Sequence, residues 1–162
     1  MKTILWLGTM LVFGSAVGAG QGDLDPLTRI PVIPAAETVV QGKSYGFQPT
    51  QMPVTTVCKS KMSGNFYAVG SMNVKDNKIK MSTVVSWYAA HLSGFTKTQG
   101  YESGRSQIAF SNGDGSIVVF LTGEPGPQSQ DTTIHGIGYE SFQPGISEKT
   151  IAGLTQGKVV CP

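Results

Sequence analysis

Hydrophobic positions along this chain change their spacing several times, and each change predicts a different element. Residues 4–13 form an apolar run interrupted only by Gly8 and Thr9. Residues 81–95, "MSTVVSWYAAHLSGF", carry no formal charge. Within them Val84, Val85, Trp87, Tyr88, His91, Leu92 and Phe95 recur at helical spacing on one broad face. The pattern predicts an amphipathic helix with Trp87 in the core. Ser82 suits its N-cap, and Ser93-Gly94 suits its exit because glycine accepts the left-handed conformation there.

The other apolar residues fall into short β-branched and aromatic runs, which predict strands. "NFYAVGSMNV" at 65–74 is one, and the threonine-rich "FTKTQGY" after the helix reads as a strand near an edge. "SQIAFS" and "SIVVFLTG" flank "NGDG", a hairpin signal, since asparagine and glycine tolerate positive φ. Residues 117–121 are apolar on both alternating sets, which predicts a central strand covered on both faces. "TTIHGIGYESF" and a short "KVVC" complete the set. One main helix packed on a largely antiparallel sheet of about five or six strands is an α+β domain. Its extent is read as 54–162.

The segment before it, 21–53, breaks the pattern. Pro26, Pro31, Pro34, Pro49 and Pro53 deny it a helix and most ladder positions. It reads as a proline-rich extended arm, and Ile30, Val32, Ile33, Val39 and Val40 favour its docking on the domain. The apolar run at 4–13 sits behind Lys2 and ahead of small residues that suit cleavage after Gly18, Ala19 or Gly20. Residues 1–20 therefore read as a secretory signal peptide, too short in its apolar part for a spanning helix of about 20 residues. The expected product is a periplasmic or secreted protein that does not span the membrane and has lost Trp6.

Composition narrows the chemistry. The formal net charge is +2, and loss of Lys2 leaves about +1, so no global field draws the chain to nucleic acid or membrane. The two cysteines, Cys58 and Cys161, are expected to pair in an oxidising compartment. Two cysteines and two histidines this far apart lack metal-ligand spacing, and no cofactor fingerprint occurs. Asp114 in "NGDG" lacks the further ligands of a calcium loop.

No catalytic set is legible. "GSAVG", the nearest approach to a nucleophile elbow, lies in the signal peptide. His91 reads as a half-buried helix residue and His135 as an exposed strand residue sharing a face with Thr133, Ile137 and Tyr139. Gly136 and Gly138 share a strand face and leave a shallow trough, which Trp87 or Phe95 of the helix would fill. Lys59, Lys61, Lys75, Lys78 and Lys80 crowd one short segment against Asp76, with Tyr45, Phe47, Phe66 and Tyr67 nearby. These lysines are the candidate binding residues, able to meet another protein or an anionic surface. The uncharged helix face of Ser86, Ala89, Ala90 and Ser93 is a candidate contact for the arm or a second copy of the chain.

The pattern V-x-x-W-Y-x-x-x-L-x-G-F, formed by Val84, Trp87, Tyr88, Leu92, Gly94 and Phe95, resembles a helix of small uncharacterised bacterial exported proteins. There too an antiparallel hairpin follows the helix. The resemblance covers residues 85–122 and consists of core positions, so it implies a fold and no activity. The reading that accommodates these features is an exported, non-catalytic binding domain, in one form a periplasmic inhibitor or immunity-type protein. The alternative is a small-ligand carrier or hydrolase-like enzyme with a pocket between helix and sheet, using His91 or His135.

Overall fold

The structure is a computed structural model that describes residues 24–33, 49–69 and 79–162, together with the backbone of 38–40 and 43–45. Residues 1–20, read above as a signal peptide, and Lys75 and Lys78 lie outside the described residues. Two short strands, β1 (Thr38–Val40) and β2 (Lys43–Tyr45), pair antiparallel within the proline-rich segment. The main sheet has six strands: β3 (Thr50–Val57), β4 (Ser60–Ala68), β5 (Thr96–Glu102), β6 (Arg105–Ser111), β7 (Ile117–Pro125) and β8 (Ile134–Gln143). Their order is β3-β4-β8-β7-β6-β5, and every neighbouring pair is antiparallel. The fold is thus α+β, as the apolar pattern predicts.

One crossover generates this order. Helix α1 (Met81–His91) carries the chain from β4 across one face to the far edge, and the meander β5–β8 then returns to pair with β4. Strands β7 and β8 end up central, and Val118, Val119 and Leu121 are fully buried because both faces are covered. β5 is an edge strand, as its threonine content suggests. The other edge, β3, begins at Thr50, so the boundary drawn at Val54 falls within a strand. The register shift between Met52 and Thr55 brackets Pro53, and a bulge on an edge strand is where a residue without an N–H fits.

Two turns differ from expectation. "NGDG" does join β6 to β7, but its positive φ falls on Gly115 (64°), and Asp114 stays in the turn by accepting from Ser116 N (3.0 Å) and Oγ (2.7 Å). Those hydrogen bonds hold the Asp114 carboxyl below its usual range. The two-residue hairpin is at Ser103-Gly104 between β5 and β6, where both residues have positive φ (48° and 79°).

α1 forms as its spacing predicts, with Met81, Val84, Tyr88 and Leu92 buried and Gly94 beyond its end at φ 79°. Its capping differs. Ser82 lies inside the first turn and Lys80 is the N-cap, with no side-chain cap of its own. Asp131, from the β7–β8 loop, takes over by accepting from Ser82 N (3.1 Å) and Ser82 Oγ (2.7 Å), which lowers the pKa of its carboxyl. Trp87 is a second correction. It is partly buried at the core margin, while Tyr88 next to it is fully buried.

The second face of the sheet is covered in part by α2 (Glu148–Leu154), a helix the apolar spacing did not predict. Ser147 caps it by accepting from Thr150 N at 3.2 Å, and Ile146 and Ile151 pack with Val57, Ala109, Val118 and Phe142. "KVVC" is irregular and not a strand. It ends in the bridge from Cys161 to Cys58, whose Cα atoms are 5.4 Å apart, and so ties the end of the chain to the β3–β4 turn.

The front of the arm is part of the core. Ile30 and Ile33 are buried against Tyr67, Tyr88 and Tyr139, and Val32 packs beside them. Asp25 is fully buried and accepts from Thr28 N (2.7 Å), Thr28 Oγ1 (2.8 Å), Asn65 Nδ2 (2.9 Å), Tyr67 Oη (3.1 Å) and Leu27 N (3.2 Å). A buried carboxylate needs such a set of donors to offset its lost hydration. The side chains of Val39 and Val40 lie outside the described residues.

Candidate functional site

The space between the middle of α1 and the centre of the sheet, where a pocket would serve an enzyme or carrier, is filled. Tyr88 and Tyr139 are fully buried there and hydrogen-bond hydroxyl to hydroxyl. Tyr67 packs edge-on against Tyr139, with ring centroids 5.1 Å apart. Burial raises the pKa of both Tyr88 and Tyr139 well above the ordinary phenol, so both stay neutral at physiological pH. His91 is outside this space. It is exposed, its ring stacks on Trp87 at 4.0 Å, and its Nδ1 lies 2.7 Å from the Trp87 carbonyl one turn earlier.

His135 is elsewhere again, on the opposite face from the one its spacing suggests. β8 pairs Gly136 with Thr122 but Ile134 with Gly123, so His135 is an extra residue in the register. A bulge of this kind turns two successive side chains to one side. His135 thereby leaves the face of Ile137 and Tyr139 and lies near the Phe66 ring, centroids 6.3 Å apart. Its Nδ1 is 3.0 Å from Glu124 Oε1, and Arg105 Nη1 is 3.7 Å from Glu124 Oε2. All three groups are partly exposed.

The glycine trough lies on this same second face, so neither Trp87 of α1 nor Phe95 beyond its end fills it. Phe66 of β4 does: a Cβ on Gly136 would overlap its ring. Gly138 is more open. The nearest neighbours to a Cβ there are Glu140 Oε1 at 3.5 Å and Phe120 Cβ at 3.8 Å. Glu140 lies along the floor, with its Cγ 3.2 Å from where a Cβ on Gly64 would stand. Burial pushes its carboxyl up to about 7. Among the described residues no group of three or more His, Cys, Asp or Glu is gathered as metal ligands.

The structure divides the described lysines of the basic segment. Lys59 is exposed in the β3–β4 turn, and Lys61 is exposed just inside β4, opposite Gln143. Extended strand from Lys61 to Ala68 covers roughly 23 Å at about 3.3 Å per residue. Lys80 lies beyond that far end, bridged to Thr133, with its Nζ donating to the Asp131 carbonyl at 3.1 Å. Lys59 instead lines a cleft of about 280 Å³ with Cys58, Pro144, Ile146, Cys161 and Pro162. Ser86, Ala89 and Ala90 are exposed on α1, and Ser93 is exposed just beyond its end.

Two features here escaped the sequence reading. Glu140 was recoverable, because it stands two and four residues after the trough glycines and alternation puts all three on one face. The pairing of Glu124 with His135 was not, because a long loop between β7 and β8 hides the register. The chain matches no family model, and it shows no significant similarity to curated proteins or to solved structures.

Proposed function

We propose that this protein is an exported, non-catalytic binding domain that recognises another protein through its surface, in the manner of a periplasmic inhibitor or immunity-type protein. The observation that carries the reading is the filled space between the middle of α1, around Tyr88, and the centre of the sheet. Tyr88, Tyr139 and Tyr67, closed over by Ile30 and Ile33 of the arm, occupy the position that a ligand pocket would need. The disulfide end offers a contact surface in its place, where Lys59 and Lys61 stand exposed beside a cleft whose walls include Ile146 and two prolines. An anchor in a shallow apolar cleft with a charged rim is a common arrangement in protein recognition.

Charge reversal tests this. The double variant Lys59→Glu/Lys61→Glu should weaken capture of the partner from periplasmic extract by about tenfold, and more at low salt, since rim charges act through long-range attraction. His91→Gln should leave capture unchanged. The rival reading, a hydrolase-like site, is favoured by one contact, the 3.0 Å approach of His135 to Glu124. If His135→Gln abolishes activity in a folded protein and the lysine reversals do nothing, the rival replaces the binding reading.

A further inference from the structure

A second concave surface lies at the other end of the molecule from Lys59 and Lys61, where the start of α1 meets β5, β6 and the β7–β8 loop. It encloses about 430 Å³, within the range of about 300–1,000 Å³ that small-molecule sites occupy. Its apolar wall is Met81, Val85 and Ile108, and its polar rim is built from Gln99, Gln128, Gln130, Ser106 and Thr132. From these features we infer that the cleft binds a neutral carbohydrate.

Three properties select that class. The first is charge. Asp131 is the acidic residue in the lining, and both of its carboxylate oxygens already accept from Ser82. The Lys80 ammonium is held on the Asp131 carbonyl. The Asp131 carboxylate and the Lys80 ammonium thus stand near each other and offset, so the wall carries little net charge to select an ionic ligand.

The second is the kind of hydrogen bonding on offer. A carboxamide presents a donor and an acceptor side by side, which matches neighbouring sugar hydroxyls that are themselves both. Three carboxamides ring this cleft. Thr132 and Ser106 stand among them on the wall, the Thr132 Oγ1 itself buried against Gly123. The third is the apolar wall. Val85 and Ile108 are only partly buried, and they offer apolar contact to the C–H groups of a pyranose ring.

This cleft shares no lining residue with the disulfide-end surface, so the inference does not rest on the proposed protein partner. Its test is a titration of isotope-labelled protein with maltotetraose, cellotetraose and chitotetraose, with an oligogalacturonate as the charged control. At least one neutral probe should give saturable shifts at Ile108 and at the Gln99 and Gln130 side-chain amides, with a Kd of about 1 mM or tighter. Gln99→Ala and Gln130→Ala should each weaken that binding at least about fivefold, the order of one lost net hydrogen bond. Both positions are exposed, so the thermal midpoint should hold, and Lys59→Glu/Lys61→Glu should bind the sugar as the parent does. Absence of saturable shifts with all three neutral probes would overturn the inference, as would equal binding of the charged control or undiminished binding by both glutamine variants.

Discussion

Glu140 has the environment least like that of a free side chain. It rests on two glycines that leave room for it, with Phe120 alongside, and no residue among those described gives it a hydrogen bond or a counter-charge. Its carboxyl, ordinarily near 4.5, is raised to about 7 by burial. Between those values the folded protein holds a proton that the unfolded chain has released. The contribution of Glu140 to stability is therefore most favourable below about pH 4.5, falls as pH rises through about 7, and levels off above. The side chain keeps some solvent access, so the penalty is on the order of 1–3 kcal/mol. Glu140→Gln has the same shape and no charge, and it should be more stable than the parent by about that amount at about pH 8 and equal to it at about pH 4. Urea midpoints at the two pH values check this, and a difference independent of pH would count against a buried carboxylate.

The elements make different demands. α1 is anchored by Val84 and Tyr88, with Trp87 at the margin of the core. Trp87→Ala should accordingly cost about 1–3 kcal/mol, below the 3–5 of a fully buried tryptophan. The start of the same helix depends on another element. Asp131→Ala removes the acceptor for Ser82 N and Oγ and should cost about 1 kcal/mol, as the loss of an N-cap does. The arm is held by Asp25. Asp25→Ala would leave Asn65 Nδ2 and Thr28 Oγ1 buried without the acceptor they now share, a loss of about 2–6 kcal/mol at 1–3 per orphaned group. Chemical unfolding measures all three. For the arm, limited proteolysis should also show cleavage near residues 24–33 that the parent resists; an uncleaved arm would mean that Ile30 and Ile33 hold it alone.

At the scale of the whole molecule the Cys58–Cys161 bridge spans a sequence separation of 103 and links the β3–β4 turn to the tail after α2. In the chain-entropy model a loop of this length contributes on the order of 4–5 kcal/mol. Reduction should lower the unfolding midpoint sharply and loosen α2 first, because its contacts on the second face are backed by the tethered tail. Hydrogen exchange under reducing conditions should then show early loss of protection at Ile151. Protection that falls uniformly across the sheet would show that the bridge acts on the unfolded chain alone.

The sequence by itself determined the elements whose information is local. The 3.6-residue spacing around Val84 and Tyr88 marks α1, and the doubly apolar residues 117–121 mark a central strand, because burial on one face or two is written into residue order. The cysteine pair was legible for a similar reason, since two thiols leave one pairing. Tertiary structure decided what depends on register and on long-range neighbours. A bulge of one residue moved His135 to the other face, and the glycine trough received Phe66 in place of α1. Extended strand also carried Lys80 far from Lys61, although the sequence sets them close together. The helix cap came from Asp131, forty-nine residues away from Ser82, and the arm found its acceptor role only in contact with Asn65 and Tyr67. α2 was too short for a periodicity to show, and its stability comes from the face it covers and the bridge behind it. Local spacing fixes which side of an element is apolar, whereas which surfaces meet is a property of the packed whole.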